Sequence, residues 1–341
     1  MLKLNNKSTY IIAELSANHE QNFDIAVKTI KAMADSGANA IKLQTYKPES
    51  LSLDSDKPWF MAPEYSIWAG HRLFDLYSKG STPYEWHDKL QKVANNLGLD
   101  FFSSPFDLEA VDFLESLNVP AYKIASFEIT DIPLIEKCAK TGKHIIISTG
   151  AAKLEDIDLA VEICRNAGNN QIALLKCTSA YPTPYNEVNL SQIQFLKERY
   201  KTIVGLSDHT LGIEVPISAV VLGAKIIEKH FILDRNSNSL DKDFSLEPQE
   251  FKQMVTAIRN IEQAIGNIDF EVTPKISKAH EFTRSLFAVT NINKGDIITK
   301  DNVRSLRPGL GLHPKYYFEI LGKKAKANIE KGTPLSLDFF E

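Results

Sequence analysis

Cysteine is scarce in this chain of 341 residues, occurring only at Cys138, Cys164 and Cys177. An odd, sparse count without paired spacing argues against a disulfide framework or a cysteine zinc site and suits a reducing compartment, so a cytoplasmic location is expected. Long hydrophobic runs are also missing. No stretch approaches the roughly 20 apolar residues of a membrane helix, and residues 1–7 lack the apolar core of a secretion signal. Nor is there charge of one dominant sign. The formal net charge is −4, with lysines scattered among acids, which excludes the one-sided basic surface of a nucleic-acid binder. A glycine-rich dinucleotide fingerprint is absent too: the first apolar run leads into Glu14-Leu15-Ser16-Ala17-Asn18-His19, a poor match for a nucleotide-binding turn.

What is present is an alternation. Short β-rich runs at 10–16, 40–45, 100–106, 121–126, 144–150, 172–179, 202–209 and 225–231 are separated by segments with apolar residues at three- and four-residue spacing, among them 23–36, 83–96, 107–117 and 154–167. A last helix is expected over 248–265. Eight βα units of this size predict an α/β fold, a (β/α)8 TIM barrel, in preference to an open doubly wound sheet. From Thr283 the texture changes, because residues 291–298 (NINKGDII) are echoed by 328–335 (NIEKGTPL). The expected organisation is a barrel over 1–266, a linker over 267–282 and a small β-rich domain over 283–341. A loop from Lys47 to Thr82 holds Trp59, Phe60, Tyr65, Trp68 and Phe74, a length usual for lids and binding loops.

In such a barrel, side chains two apart share a face, and catalytic groups gather at the C-terminal ends of the strands. His209 and His230 then fall on neighbouring strand ends and resemble a two-histidine metal site, the alternative being a pair of satisfied core residues. Glu14 and Ser16, Lys42 and Gln44, Ser207 and His209, and Glu228 and His230 are expected to share inward faces. Lys123, Ser104, Ser148 and Ser179 add donors for anionic oxygens. Charged groups are rarely buried uncompensated, so this number of them favours a pocket over a core. His71, His87, His144, His280 and His313 have no such setting and are expected at the surface or in packing.

The words that carry these residues resemble the sialic acid synthase family, the phosphoenolpyruvate-dependent nonulosonic acid synthases, over essentially the whole chain. They include Ile41-Lys42-Leu43-Gln44-Thr45, Phe102-Ser103-Ser104-Pro105-Phe106, Tyr122-Lys123-Ile124-Ala125-Ser126-Phe127-Glu128, Lys176-Cys177-Thr178-Ser179-Ala180-Tyr181-Pro182-Thr183, Gly205-Leu206-Ser207-Asp208-His209-Thr210 and Arg304-Ser305-Leu306-Arg307-Pro308-Gly309. The first-strand word, Glu14 to His19, and alanine at 125 place the resemblance nearest the family's bacterial pseudaminic acid branch.

The resemblance implies condensation of phosphoenolpyruvate with an amino sugar aldehyde, here 2,4-diacetamido-2,4,6-trideoxy-L-altrose, to give a nine-carbon 2-keto acid and phosphate. It leaves legionaminic or N-acetylneuraminic acid synthesis as an alternative, and a non-catalytic carbohydrate-binding protein as a remote one. It implies a divalent metal on His209 and His230, manganese first, with magnesium or cobalt as substitutes. Phosphoenolpyruvate contacts fall on Lys42, Ser104, Lys123, Ser126, Ser148, Ser179 and Ser207, and sugar contacts on Glu14, Gln44, Tyr181 and Asp241. For the protons at the aldehyde or water, Glu128 or Glu14 is expected to act, because a carboxylate near a metal and buried lysines can be tuned for that work. The C-terminal module resembles the antifreeze-like, or SAF, domain, and members form domain-swapped homodimers in which Arg307 reaches the partner's barrel.

Overall fold

A computed structural model describes Leu2 and residues 8–64, 66–268, 270–271 and 273–341, without the side chain of Lys275. It divides into two compact units, Met1–Gly266 and Asn267–Glu341. Eight strands close the first unit into a barrel: β1 (Tyr10–Glu14), β2 (Ala40–Thr45), β3 (Asp100–Pro105), β4 (Ala121–Ile124), β5 (His144–Ser148), β6 (Ile172–Cys177), β7 (Ile203–Asp208) and β8 (Ile226–His230). The order is sequential, and β1 pairs in parallel with β8.

These runs form strands because helices cover them outside and side chains fill the interior, so both faces need apolar residues. Ile11, Ile12, Ile41, Leu43, Phe102, Ile145, Ile147, Ile226 and Ile227 are all fully buried. Gly205 in β7 has a steric reason: a Cβ there would collide with the Ile226 carbonyl of β8 and with Leu175 of β6. Helices follow their local signals. Phe23–Asp35 is capped by the Asn22 side chain, which accepts from the amides of Asp24 and Ile25, and Leu108–Ser116 by Asp107, which accepts from Ala110 N at 2.6 Å. Pro248–Ile265 begins with proline and a capping box between Glu247 and Glu250.

The second unit has its own core of Leu286, Ala288, Ile292, Ile298, Val303, Ile320, Ala325, Ile329, Leu335 and Phe340. Its regular sheet is small, with β9 (Ser285–Ala288) antiparallel to β10 (Val303–Leu306). The sequence echo becomes a local two-fold arrangement. Ile292 and Ile329 exchange backbone hydrogen bonds of 2.9 and 2.8 Å. The Asn328 side chain accepts from Lys294 N, and the equivalent Asn291 side chain accepts from Lys331 N, both at 2.8 Å. Within the stretch expected to be linker, a short helix spans Pro274–His280 and is capped by Thr273.

Two local expectations change. Strand β1 stops at Glu14, and Ser16 turns into the left-handed region at φ 49°, so Ser16 reaches the mouth from a turn and not from a strand face. The loop from Lys47 to Thr82 is partly helical, with Pro48–Leu51 and Leu73–Gly80; Tyr65 lies outside the described residues.

Candidate active site

The polar side chains gather at the C-terminal end of the barrel because register fixes them there. Glu14 is level with Lys42 on one side and His230 on the other, Gln44 with Ser104, and Ser207 with both Glu228 and Cys177. Lys42 Nζ pairs with Glu14 Oε2, donates to Ser104 Oγ at 3.2 Å and lies 3.7 Å from Glu228 Oε1. Lys123 Nζ stands 3.5 Å from the same Glu228 oxygen, which also accepts from Ser207 Oγ at 3.0 Å. All four charged groups are 3% exposed or less. Burial opposes the charge on Glu228, but Lys123, Lys42 and the Ser207 hydroxyl outweigh it and hold its carboxyl below the ordinary range. Burial raises Glu14 to about 7, with Lys42 pulling against it and Glu228 adding to it. Burial, reinforced by Lys42, lowers the ammonium of Lys123.

Beside the lysines lies a hydroxyl-lined cradle. Gly150 N donates to Ser126 Oγ at 3.1 Å. A Cβ at Gly150 would come within 3 Å of Ser179 Oγ, Ser126 Oγ and Cys177 Sγ, so the space between these groups exists because the residue is glycine. Ser148 Oγ and Ser179 Oγ are buried without a hydrogen-bond partner. Unsatisfied buried hydroxyls beside ammonium groups suit an anion that would accept from them.

His209 and His230 meet as expected, with ring centroids 5.2 Å apart. His209 Nδ1 faces the Thr178 carbonyl at 3.1 Å, which leaves Nε2 free of that contact and available to a ligand. His230 Nδ1 is buried without a hydrogen bond and lies 3.8 Å from Asp241 Oδ2. Burial, then His209 and the nearby lysines, hold His230 well below its usual range, so it is neutral and able to coordinate. Among the described residues no group of three or more His, Cys, Asp or Glu side chains is arranged to hold a metal ion, so the protein side of any such site is limited to the two imidazoles. Two imidazoles with one orphaned nitrogen would suit a divalent ion that keeps other positions open, for which they would supply nitrogen ligands. They would fit poorly as a closed structural zinc site.

An aromatic wall runs outward from the imidazoles. Phe244 packs on His230 at 4.8 Å, Tyr181 on His209 at 4.5 Å, and Trp68 on Tyr181 at 5.9 Å. Trp68 Nε1 also donates to the Leu240 carbonyl at 3.3 Å. Trp59, from the same loop, is 68% exposed beneath Lys57 and contributes nothing to this wall. Gln44 Nε2 donates to Ser16 Oγ at 3.1 Å, and Ser16 Oγ in turn bonds Asp241. Glu128 follows β4 in a short turn, partly buried, with Oε2 unpartnered; burial raises it to about 7 against the pull of Lys123. Arg307 belongs to the second unit and is exposed there. His19 and His87 are buried packing residues, on Trp86 and Phe113 respectively, and burial lowers each to about 4.

Cys177 was not singled out from sequence, yet its Sγ lies 3.9 Å from His209 Nδ1 and borders the cradle. Its place two residues before Ser179 on the strand pattern was the available signal.

A family model described as the NeuB family matches residues 29–270. The chain belongs to the NeuB family. A second model, the SAF domain, matches residues 283–341. The chain is 47% identical over 329 residues to a pseudaminic acid synthase from Campylobacter jejuni, covering 96% of each. It is 46% identical over 332 residues to one from Helicobacter pylori, covering 97% of each. Among solved structures, an N-acetylneuraminic acid synthetase from Leptospira borgpetersenii in complex with citrate matches with a TM-score of 0.72 at 33% identity, covering 81% of this chain and 91% of that one. The NeuB-family barrel with a C-terminal SAF domain is therefore the architecture expected from the sequence, and the chain is an enzyme of the phosphoenolpyruvate-dependent sugar acid synthase type.

Proposed function

We propose that this NeuB-family chain is a pseudaminic acid synthase, joining phosphoenolpyruvate to 2,4-diacetamido-2,4,6-trideoxy-L-altrose and releasing phosphate. The observation that carries the reading is the union, at one barrel mouth, of two buried lysines, an unsatisfied serine cradle and a paired imidazole site. The sugar is chosen because near full-length relatives bear that name and because the wall of Phe244, Tyr181 and Trp68 suits a 6-deoxy, doubly acetamidated chain.

Phosphoenolpyruvate carries about three negative charges near neutrality, and preorganised donors in a water-poor site stabilise them best. Lys42 and Lys123 supply the charge, and Ser104, Ser126, Ser148, Ser179 and Ser207 supply hydrogen bonds. A divalent ion on His209 and His230, manganese in preference to magnesium or cobalt for a mixed nitrogen and oxygen shell, would supply Lewis-acid polarisation of the aldehyde. Carbon 3 of phosphoenolpyruvate forms a bond to the sugar's carbonyl carbon, whose oxygen takes a proton. Carbon 2, left cationic, gains a water oxygen and loses that water's proton. The carbon–oxygen bond to phosphate then breaks as the new hydroxyl on carbon 2 becomes the carbonyl and gives its proton to the departing phosphate, leaving the 2-keto acid.

Glu128 is the proton-handling group we favour over Glu14. Both carboxyls are raised to about 7, but Glu128 Oε2 has no partner, whereas the two oxygens of Glu14 are engaged by the Lys42 ammonium and by the amide of Ser16 at 3.0 Å. Gln44, Tyr181 and Asp241 would orient the sugar. In this reading residues 1–266 act as the catalytic barrel in the cytoplasm, and the module over 283–341 brings Arg307 to the barrel of a second subunit in a domain-swapped homodimer.

The test is phosphate release by the purified protein with manganese, phosphoenolpyruvate and three sugars: the altrose compound, a 2,4-diacetamido mannose-type sugar and N-acetylmannosamine. Release with the first far above the others is expected. Preference for another would move the assignment within the family, and release with none would overturn it.

A further inference from the structure

A second charge pair lies between β7 and β8, directed away from the mouth, and no step of the reaction uses it. Asp208 and Lys229 are partners at the last rung of the β7–β8 ladder. Each immediately precedes one of the two imidazoles, and successive residues alternate faces, so their side chains leave the opposite side of the sheet. Lys229 is fully buried and Asp208 is 3% exposed, with Lys229 Nζ 2.6 Å from Asp208 Oδ2. Lys229 Nζ also donates to the backbone carbonyl of Thr210. Asp208 Oδ1 accepts from Thr210 N at 3.1 Å and from Thr210 Oγ1 at 2.9 Å.

One ammonium therefore grips the chain on both sides of His209, through a carboxylate before it and a carbonyl after it. The same lysine is bonded covalently to His230. Position makes this matter. Strand β7 ends at Asp208, so His209 stands one residue past the point where ladder hydrogen bonds would fix it against β8. A buried ion pair is a weak device for stability alone, because its desolvation offsets much of its attraction. At the end of a ladder it is a better device for geometry.

We propose that Asp208, Lys229 and Thr210 form a positioning clamp that sets the spacing and facing of His209 and His230 for a divalent cation. The clamp rests on the metal reading of those histidines. Groups that hydrogen-bond a metal's ligands change its affinity by about 10–100-fold when removed; this clamp holds the backbone on either side of the ligands and touches neither ring, so a loss at the lower end of that range is expected.

The experiment titrates the full-length protein with Mn²⁺ alone and reads free Mn²⁺ by electron paramagnetic resonance. The double variant Asp208→Leu, Lys229→Met removes both charges together, so no lone charge is left buried. Near-ultraviolet circular dichroism checks that it is folded. At least about tenfold weaker Mn²⁺ binding than wild type is expected, with a smaller loss in Thr210→Val. A folded double variant with wild-type affinity overturns the clamp while the metal reading stands, provided His209→Ala abolishes binding. If the double variant does not fold, Thr210→Val decides, and unchanged affinity there overturns the clamp. A wild-type protein that binds no Mn²⁺ overturns the metal reading and the clamp with it.

Discussion

Lys123 Nζ stands 3.5 Å from Glu228 Oε1, and that oxygen is also 3.7 Å from Lys42 Nζ. One carboxylate thus steadies two buried ammonium groups while no substrate anion is bound. Replacing it by Glu228→Gln leaves them under-compensated, and breaking a buried pair in this way costs about 3 kcal/mol or more. Urea unfolding should show that loss, and saturating phosphoenolpyruvate should restore part of it by supplying the missing negative charge. Equal instability with and without phosphoenolpyruvate would mean that the lysines do not face it.

The cradle serines separate binding from stability. Ser148 Oγ has no partner in the free protein, so Ser148→Ala should leave the unfolding midpoint unchanged or slightly higher. Its KM for phosphoenolpyruvate should rise about tenfold, the loss of one hydrogen bond to a charged group. Ser104 accepts from Lys42 at 3.2 Å, so Ser104→Ala should cost about 1 kcal/mol of stability as well as affinity. Calorimetry and phosphoenolpyruvate titrations on the two variants check the contrast.

Glu128 has a pH signature. Burial, opposed by Lys123, raises its carboxyl to about 7, so the folded state holds the proton more tightly than the unfolded chain. Its contribution is therefore complete below the ordinary carboxylate value of about 4.5 and is lost as pH rises toward 7. Glu128→Gln should flatten that decline and gain on the order of 3 kcal/mol relative to wild type near pH 8. In the same variant kcat should fall about a hundredfold or more. The limb of the pH–rate profile near 7 should disappear with it. An unchanged profile would return the proton-handling role to Glu14.

Sharing of sites between subunits is tested by complementation. Arg307→Ala and Glu128→Gln should each be nearly inactive alone. Mixed in equal amounts and allowed to exchange, they should form heterodimers with one intact site each, recovering about a quarter of wild-type activity. No recovery after verified exchange would confine Arg307 to its own subunit or remove it from the site.

The barrel was legible because parallel strands buried on both faces write near-continuous apolar runs; β2 falls on residues 40–45 as the sequence predicts, and the last helix on 248–265. Glu14, Lys42, His209 and His230 were legible because ionisable residues at period two on such runs would be costly to bury unless they converge on one another or on a ligand. Ser16 was misread for a physical reason. Its alternation with Glu14 survives, but the strand does not, and a left-handed turn leaves no sequence mark when the residue is serine. The helix Leu73–Gly80 was hidden by its length and by Arg72 at its start, which makes no capping bond. Asp208 and Lys229 were overlooked because they face away from the mouth, where an ion pair reads as ordinary helix-side packing.

The central claim, that this pocket breaks the carbon–oxygen bond of phosphoenolpyruvate while joining it to a sugar aldehyde, is tested by ¹⁸O at the bridging position. With the altrose-type sugar and manganese, mass spectrometry should find the label in the released phosphate and none in the nine-carbon keto acid. Label retained at carbon 2 of the product would contradict the account, because the phosphorus–oxygen bond would then be the one that breaks.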